Sequence, residues 1–238
     1  MEKSFTYSGG TFGGIGLVDT TVCFQGTFDG LGNTISDMTV GDKGIFASIK
    51  GATIKNLVID NATMTASGNT KRGLLVSKAY NISGDSNIAD RTIVIDGITI
   101  TDSSMTANHA QSGLIVGCAY NTFPIRNCTI KNSTMNCTRT AVNTTAVSGY
   151  GLVVGYAVQK VNINKVKVED SAINFDEKSW VSNIGGLVGR TNKGGSIKDC
   201  IVSGLTIKSE FVSRNRDANN YAITADFSEN IGGVIGYL

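Results

Sequence analysis

The side chains that could do chemistry on this chain are sparse, and their spacing decides what kind. Paired carboxylates could work as acid and base on a glycosidic bond, or could gather around calcium beside a basic residue. The sole histidine, His109, has no identifiable acid or nucleophile partner. The five cysteines are an odd set without metal-ligand spacing. Lys193-Gly-Gly-Ser196 has the composition of a phosphate loop, but no helical pattern follows it. Recognition is better supplied. The stretch 208–231 holds Phe211, Arg214, Arg216, Asp217, Asn219, Asn220, Tyr221 and Phe227, and the stretch 174–184 holds the only tryptophan, Trp180. Aromatic rings beside planar hydrogen-bonding groups suit a carbohydrate or a protein. Trp180, Phe211, Arg214, Arg216 and Tyr221 are the expected ligand-binding residues; no catalytic, cofactor or metal residue is expected.

What must position these residues is a repeat. Ile95, Met105, Ile115 and Ile125 fall ten residues apart, so three steps close a unit of thirty. The first anchor recurs as Ile54-Lys-Asn-Leu57, Ile95-Asp-Gly-Ile98, Ile125-Arg-Asn-Cys128, Ile163-Asn-Lys-Val166 and Ile197-Lys-Asp-Cys200, with Ile35-Ser-Asp-Met38 as an earlier, shorter copy. Seven residues after each full anchor comes Asn61, Asp102, Asn132, Asp170 or Gly204, and ten after comes Met64, Met105, Met135, Ile173 or Ile207. A third element follows, of the form Gly113-Leu-Ile-Val-Gly117 or Gly151-Leu-Val-Val-Gly155. Units of this period stack into a quasi-one-dimensional solenoid. Their segments are short, alternating and rich in Val, Ile and Thr, which favours strands, and no window sustains helical spacing. Asn, Asp and Gly collect at one phase, where a corner needs positive φ. The expected fold is all-β: a right-handed, three-sided parallel β-helix of about six coils, each rising about 4.8 Å. Residues 1–33 read as a leading segment or cap, and 34–238 as the β-helix domain.

The first anchors at 54, 95, 125, 163 and 197 are separated by 41, 30, 38 and 34 residues, so the surplus is looped out. Three of the four insertions, 137–149, 174–184 and 208–231, leave from one corner, with 78–91 on the neighbouring one. Insertions confined to one edge of a solenoid usually map to a binding edge, although cheap loop closure also tolerates slack there.

Stacking turns the search for catalytic acids into a reading of columns, because equivalent positions in successive coils are neighbours. The position after the first anchor reads Ser36, Lys55, Asp96, Arg126, Asn164, Lys198, which is a surface charge ladder. The next reads Asp37, Asn56, Gly97, Asn127, Lys165, Asp199, and the one before the turn reads Asp60, Thr101, Lys131, Glu169, Ser203; neither sets two acids on adjacent coils. The turn column Asn61, Asp102, Asn132, Asp170 is expected to hydrogen-bond backbone rather than a cation. An ice-binding face needs a flat array of outward threonines, and Thr39, Val58, Thr99, Thr129, Lys167, Ile201 supplies too few in adjacent coils. Cys128 and Cys200 occupy the position of Leu57, Ile98 and Val166 and read as core hydrophobes, with Cys137 expected inward as well. Asn-x-Ser/Thr sequences occur at Asn61, Asn81, Asn127, Asn132, Asn136 and Asn143, near what composition alone gives.

With 21 basic and 19 acidic residues the net charge is +2, too neutral to point to nucleic acid or an anionic membrane. Charged residues are only 17% of the chain and glycines number 29, which suits a solenoid whose faces are polar but uncharged. No apolar run approaches the roughly 18 residues of a membrane helix, and the first ten residues lack the apolar core of a secretory signal. Residues 231–238 stop inside a copy of the third element, which would leave strand edges open. Continuation of a longer chain, or end-to-end self-association, is expected at that edge.

Phe24-Gln-Gly-Thr-Phe28-Asp-Gly-Leu-Gly-Asn-Thr-Ile35, followed by Gly44-Ile-Phe-Ala47, Ile54-Lys-Asn-Leu57 and the repeated Gly-Leu-Val-Gly, resembles the GLUG-motif proteins over residues 24–238. These are bacterial surface and secreted β-helical proteins, whose repeats occur in adhesin-like proteins and beside immunoglobulin A peptidase regions. The resemblance implies an extracellular scaffold and carries over no catalytic residue. The chain departs from the pattern in its long insertions and in Ser48 and Ser77, which stand where the final Gly is usual. The expected function is a non-enzymatic, extracellular or cell-surface β-helix module. It would bind a host or neighbouring-cell glycan or protein through the loops of one corner, or serve as a structural stalk. It would need no cofactor, bind no nucleic acid and insert no part of this segment into a membrane. The alternatives are a polysaccharide lyase or glycoside hydrolase on the same scaffold, and a subunit of a fibre or viral spike assembled end to end.

Overall fold

In the strand Val94–Thr101, Ile95, Ile98 and Ile100 are fully buried while the residues between them are partly exposed. A flat strand alternates at every second residue, so Ile95 and Ile98, three apart, both face inward only if a residue between them turns the chain. Gly97 does this at φ 64°, and the same phase holds Asn56, Asn127 and Lys165, each at φ 53°, and Asp199 at φ 52°. A second corner lies five residues on, where Asp37, Asn61, Asp102, Asn132, Asp170 and Gly204 have φ between 47° and 61°. Asn and Asp tolerate this left-handed region because their short polar side chains bond locally; Lys165 has no such device, and its conformation costs about 1 kcal/mol.

The structure, a computed structural model, describes residues 4–16, 22–65, 71–80, 92–108, 111–138, 149–175, 183–209 and 231–237. Each of its strands pairs in parallel with the equivalent strand one coil away. Ile54, Ile95, Ile125, Ile163 and Ile197 follow one another rung by rung, as do Met64, Met105, Met135, Ile173 and Ile207. No helix occurs among the described residues. This is a parallel β-helix. Its second side is a seven-stranded sheet, one rung more than the expected six coils, because Thr11–Phe12 pairs with Thr39–Val40 ahead of the first anchor. Its third side is divided: a five-stranded and a six-stranded sheet meet at the Gly-Leu motif.

The shorter copy at Ile35 is out of register with the expectation. Phe28, not Ile35, pairs with Ile54, and Ile35 pairs with Ile59 after a register shift between Asp29 and Asn33. The cause lies in the two corners. Both generate an inward-facing pair three residues apart, and because this pair is apolar in the first coil, Ile35-Ser-Asp-Met38, which belongs to the second corner, imitates the first. The columns move accordingly: Asp29 precedes Lys55, Thr34 precedes Val58, and Asp37 joins Asn61 in the turn column.

Two devices close the interior. Inside the second corner, Ser103, Ser133 and Ser171 are buried and linked from coil to coil. The Ser133 hydroxyl accepts from the Ser103 N–H at 3.2 Å and donates to the Lys131 carbonyl at 2.8 Å, and Ser171 does the same for Ser133 and Glu169 at 3.1 and 2.8 Å. At the Gly-Leu motif the two short sheets approach each other through glycine. A Cβ on Gly113 would lie 2.5 Å from the Val116 carbonyl oxygen, and one on Gly155 would lie 2.5 Å from the Ser112 nitrogen of the preceding coil. Ser77, which replaces the final glycine, spans this gap by donating to the Lys43 carbonyl at 2.8 Å and accepting from the Gly73 N–H at 3.2 Å.

Candidate functional site

Trp180, Phe211, Arg214, Arg216 and Tyr221, and likewise His109, lie outside the described residues. Their anchorage is described. Ala107, Cys137, Phe175 and Ser209 form one ladder at the end of the second side. Gln111 pairs with Gly149, and Ser112, Tyr150, Ile184 and Ile231 form the ladder that opens the third side. Segments 139–148, 176–182 and 210–230 therefore all span the same two ladders, as the spacing of the anchors implies. Tyr150 and Phe175, both buried, meet edge to face at 5.8 Å beneath that corner.

On the first side, Asp29 and Asp96 are each met by donors from the next coil. Lys55 Nζ lies 3.1 Å from Asp29, whose other oxygen accepts from the Asn56 amide at 3.0 Å. Arg126 Nε and the Asn127 amide hold Asp96 in the same way, at 2.8 and 2.7 Å. The backbone N–H of Leu31, with Asn56 and Lys55, holds the Asp29 carboxyl below its ordinary value. Burial works to raise Asp96, but Asn127 and Arg126 outweigh it and leave that carboxyl lowered too. A general acid needs the opposite shift. Asp37 accepts from the Asn61 amide at 2.6 Å, and Asp60 from the Thr101 hydroxyl at 2.6 Å. Among the described residues no group of three His, Cys, Asp or Glu side chains gathers where a metal could sit.

The second side carries a threonine-rich column, interrupted by Ser104 and Ala172. Thr11, Thr39, Thr63, Ser104, Thr134, Ala172 and Thr206 form its first outward column. The next column passes from Thr65 and Thr106 to Asn136, Asn174 and Lys208, with the Asn174 amide donating to Asn136 at 3.0 Å. A groove of about 640 Å³ lies where the third side turns into the first, lined by uncharged residues that include Gln25, Thr27, Thr53 and Thr92.

The third side carries a cluster of polar and aromatic side chains, of which Cys118 and Tyr156 are buried. Lys78, Cys118, Tyr156 and Arg190 follow one another outward on adjacent strands of the six-stranded sheet. Two residues further along each strand, Lys50 pairs with Tyr80, and the Tyr80 and Tyr120 rings stack at 4.7 Å and 18°. Lys71 Nζ sits 5.6 Å over the Tyr120 ring. Asn192 donates to the Tyr156 phenol at 2.6 Å and accepts from Arg190 Nε at 3.3 Å. Burial pushes the Tyr120 phenol up to about 12, and the Cys118 thiol beside it also up to about 12 despite Lys71. The signal for this cluster in the sequence is the residue pair that follows each third element. Lys78-Ala-Tyr80, Cys118-Ala-Tyr120 and Arg190-Thr-Asn192 all place their first and third residues on one face.

No disulfide joins the five cysteines; Cys118, Cys128 and Cys137 are buried and Cys23 and Cys200 partly so. Burial pushes the Cys128 thiol up to about 12, in keeping with a core role.

These features define a class: a repeat solenoid of parallel coils, turned at left-handed corners and closed on its third side by the glycines of the Gly-Leu motif. Within that class the chain carries the GLUG motif. The family model so described matches residues 181–208, which span Gly185-Gly-Leu-Val-Gly189 and the first-anchor copy Ile197-Lys-Asp-Cys200. No curated protein and no solved structure matches the chain. No helix among the described residues is long and apolar enough to cross a membrane.

Proposed function

We propose that the chain is a non-catalytic module of a secreted or cell-surface protein, adhesin-like in role, in which a rigid β-helix presents binding groups to a glycan or protein. The observation that carries this reading is the shared footing of three of the four insertions, 137–149, 174–184 and 208–231. They rise from one pair of ladders on a continuous buried core, as expected where segments vary for recognition and the scaffold does not. The GLUG motif supports an extracellular setting, since it is the motif of surface and secreted β-helical proteins. The paired, lowered carboxylates of the first side support a binding role over a hydrolytic one. The test is the double variant Trp180→Ala, Tyr221→Ala on glycan and cell-surface protein arrays. Loss of at least tenfold in signal, with thermal unfolding unchanged, is expected; unchanged array signals would remove those loops from the binding surface.

A further inference from the structure

We propose that the groove where the third side turns into the first is a binding site for an uncharged oligosaccharide. The first argument is the chemistry of its walls. The groove holds about 640 Å³, within the range of roughly 300–1,000 Å³ usual for small-molecule sites. Its described lining is Gln25, Thr27, Thr53, Thr92 and Val94 with two glycines, which offers hydroxyl, amide and backbone groups and no charge. Thr27 and Thr92 are exposed and Thr53 and Val94 half-buried, so these side chains are open to a ligand. The hydroxyls of Thr27, Thr53 and Thr92 make no hydrogen bond among the described residues.

The second argument is arrangement. Thr27 pairs with Thr53, and Thr53 with Val94, on successive coils of the first side. This sets two hydroxyl-bearing rungs about 4.8 Å apart and an isopropyl group one rung further on. A sugar ring has the complementary form, with hydroxyls around its rim and a C–H face that suits Val94. Gly26 and Gly51 also line the groove and, having no side chains, narrow it least.

The third argument selects among ligands. A phosphate, sulfate or uronate group calls for a cationic partner, and the described lining has none. Two residues further along the same two strands, Lys55 is already closed on Asp29 at 3.1 Å, so this face offers no spare charge beside the threonines. A divalent cation calls for carboxylates, which the described lining also lacks. An apolar ligand would cover three hydroxyls and leave them without partners, at a desolvation cost that a sugar's own hydroxyls avoid.

This inference deepens the reading of the chain as a binding module and rests on it, but it places the sugar in the groove rather than on the corner segments. The experiment is calorimetric titration of the full chain with the uncharged hexasaccharides of glucose, xylose and mannose, with polygalacturonate as a charged arm. The variant T27V/T53V, which removes two groove hydroxyls and keeps the branched side-chain shape, is compared with T99V/T129V. That control makes the same change on paired strands of the first side, outside the groove. Saturable binding of at least one hexasaccharide is expected, weakened at least tenfold in the groove variant and less than twofold in the control. Absence of binding to all three hexasaccharides, equal losses in both variants, or tighter binding of polygalacturonate would overturn the proposal. Undiminished binding by T27V/T53V would overturn this site while leaving a module that works through the segments of Trp180 and Tyr221, whose array test is separate. Should the groove variant not fold, the methyl resonances of the unmodified chain decide. Added hexasaccharide must shift those of Thr27, Thr53 and Val94 and leave those of Thr99 and Thr129 in place; equal shifts in both sets, or none in the first, would contradict the assignment.

Discussion

At the scale of single residues, the corners are held by side chains that bond from one coil to the next. Asp29 and Asp96 have lowered carboxyls, so the sign of their linkage follows. Their stabilising contribution is complete above the unfolded carboxylate value of about 3.9 and is lost as pH falls through the lower folded value. Asp96→Asn should therefore flatten the dependence of unfolding free energy on pH between about pH 5 and pH 3, measured by urea denaturation at each pH, and an unaltered slope would count against the Arg126 and Asn127 pairing. Ser133→Ala leaves the buried Ser103 N–H without its acceptor, at an expected cost of about 1–3 kcal/mol. The outward neighbour Ser104→Ala should stay within about 0.5 kcal/mol. The turn asparagines and aspartates announce themselves in the sequence by type. The serine column does not, because serine is common in loops, and only its phase after the left-handed residue gives it an inward place.

At the scale of the element, the Gly-Leu motif is a close approach between two sheets rather than a flexible linker. Gly155→Ala would put a methyl group on the Ser112 backbone of the coil before, and neither strand can move without breaking its ladder. The expected loss is about 3 kcal/mol or more in chemical denaturation, whereas Gly13→Ala, which meets nothing within 4 Å, should cost about 0.5 kcal/mol or less. Equal effects would show that the motif's glycines are there for chain freedom and not for packing. The strands, their parallel stacking and the insertion corner are legible in the anchors, because a core that must stack rung on rung repeats its apolar phase. The register of the first coil is not, since Ile35-x-x-Met38 and Ile54-x-x-Leu57 share a spacing that arises from two different corners. The third-side cluster of Lys71, Tyr80, Tyr120 and Arg190 escapes for a related reason: Lys71 precedes the glycine motif of its coil and the others follow theirs, and only the pairing of coils makes them neighbours.

At the scale of the whole molecule, each coil contacts chiefly its neighbours, so stability is close to a sum over rungs and their interfaces. Exposure rises at the last described rung. Ile231 and Val234 are 56% and 43% exposed, where Ile184 and Leu187 in the coil beneath are 3% and 0% exposed. The insertions join rungs that are already paired with their neighbours, and changing the length of a connecting segment alters closure entropy only by about 0.6 kcal/mol per doubling. The central claim is that an autonomous parallel stack carries separable binding segments. The most direct test replaces 139–148 and 176–182 together by short Gly-Ser linkers and follows thermal unfolding by circular dichroism. The account predicts a single cooperative transition within a few degrees of the parent chain's and an unchanged β spectrum; a chain that is unfolded at room temperature, or that melts in separate steps, would contradict it.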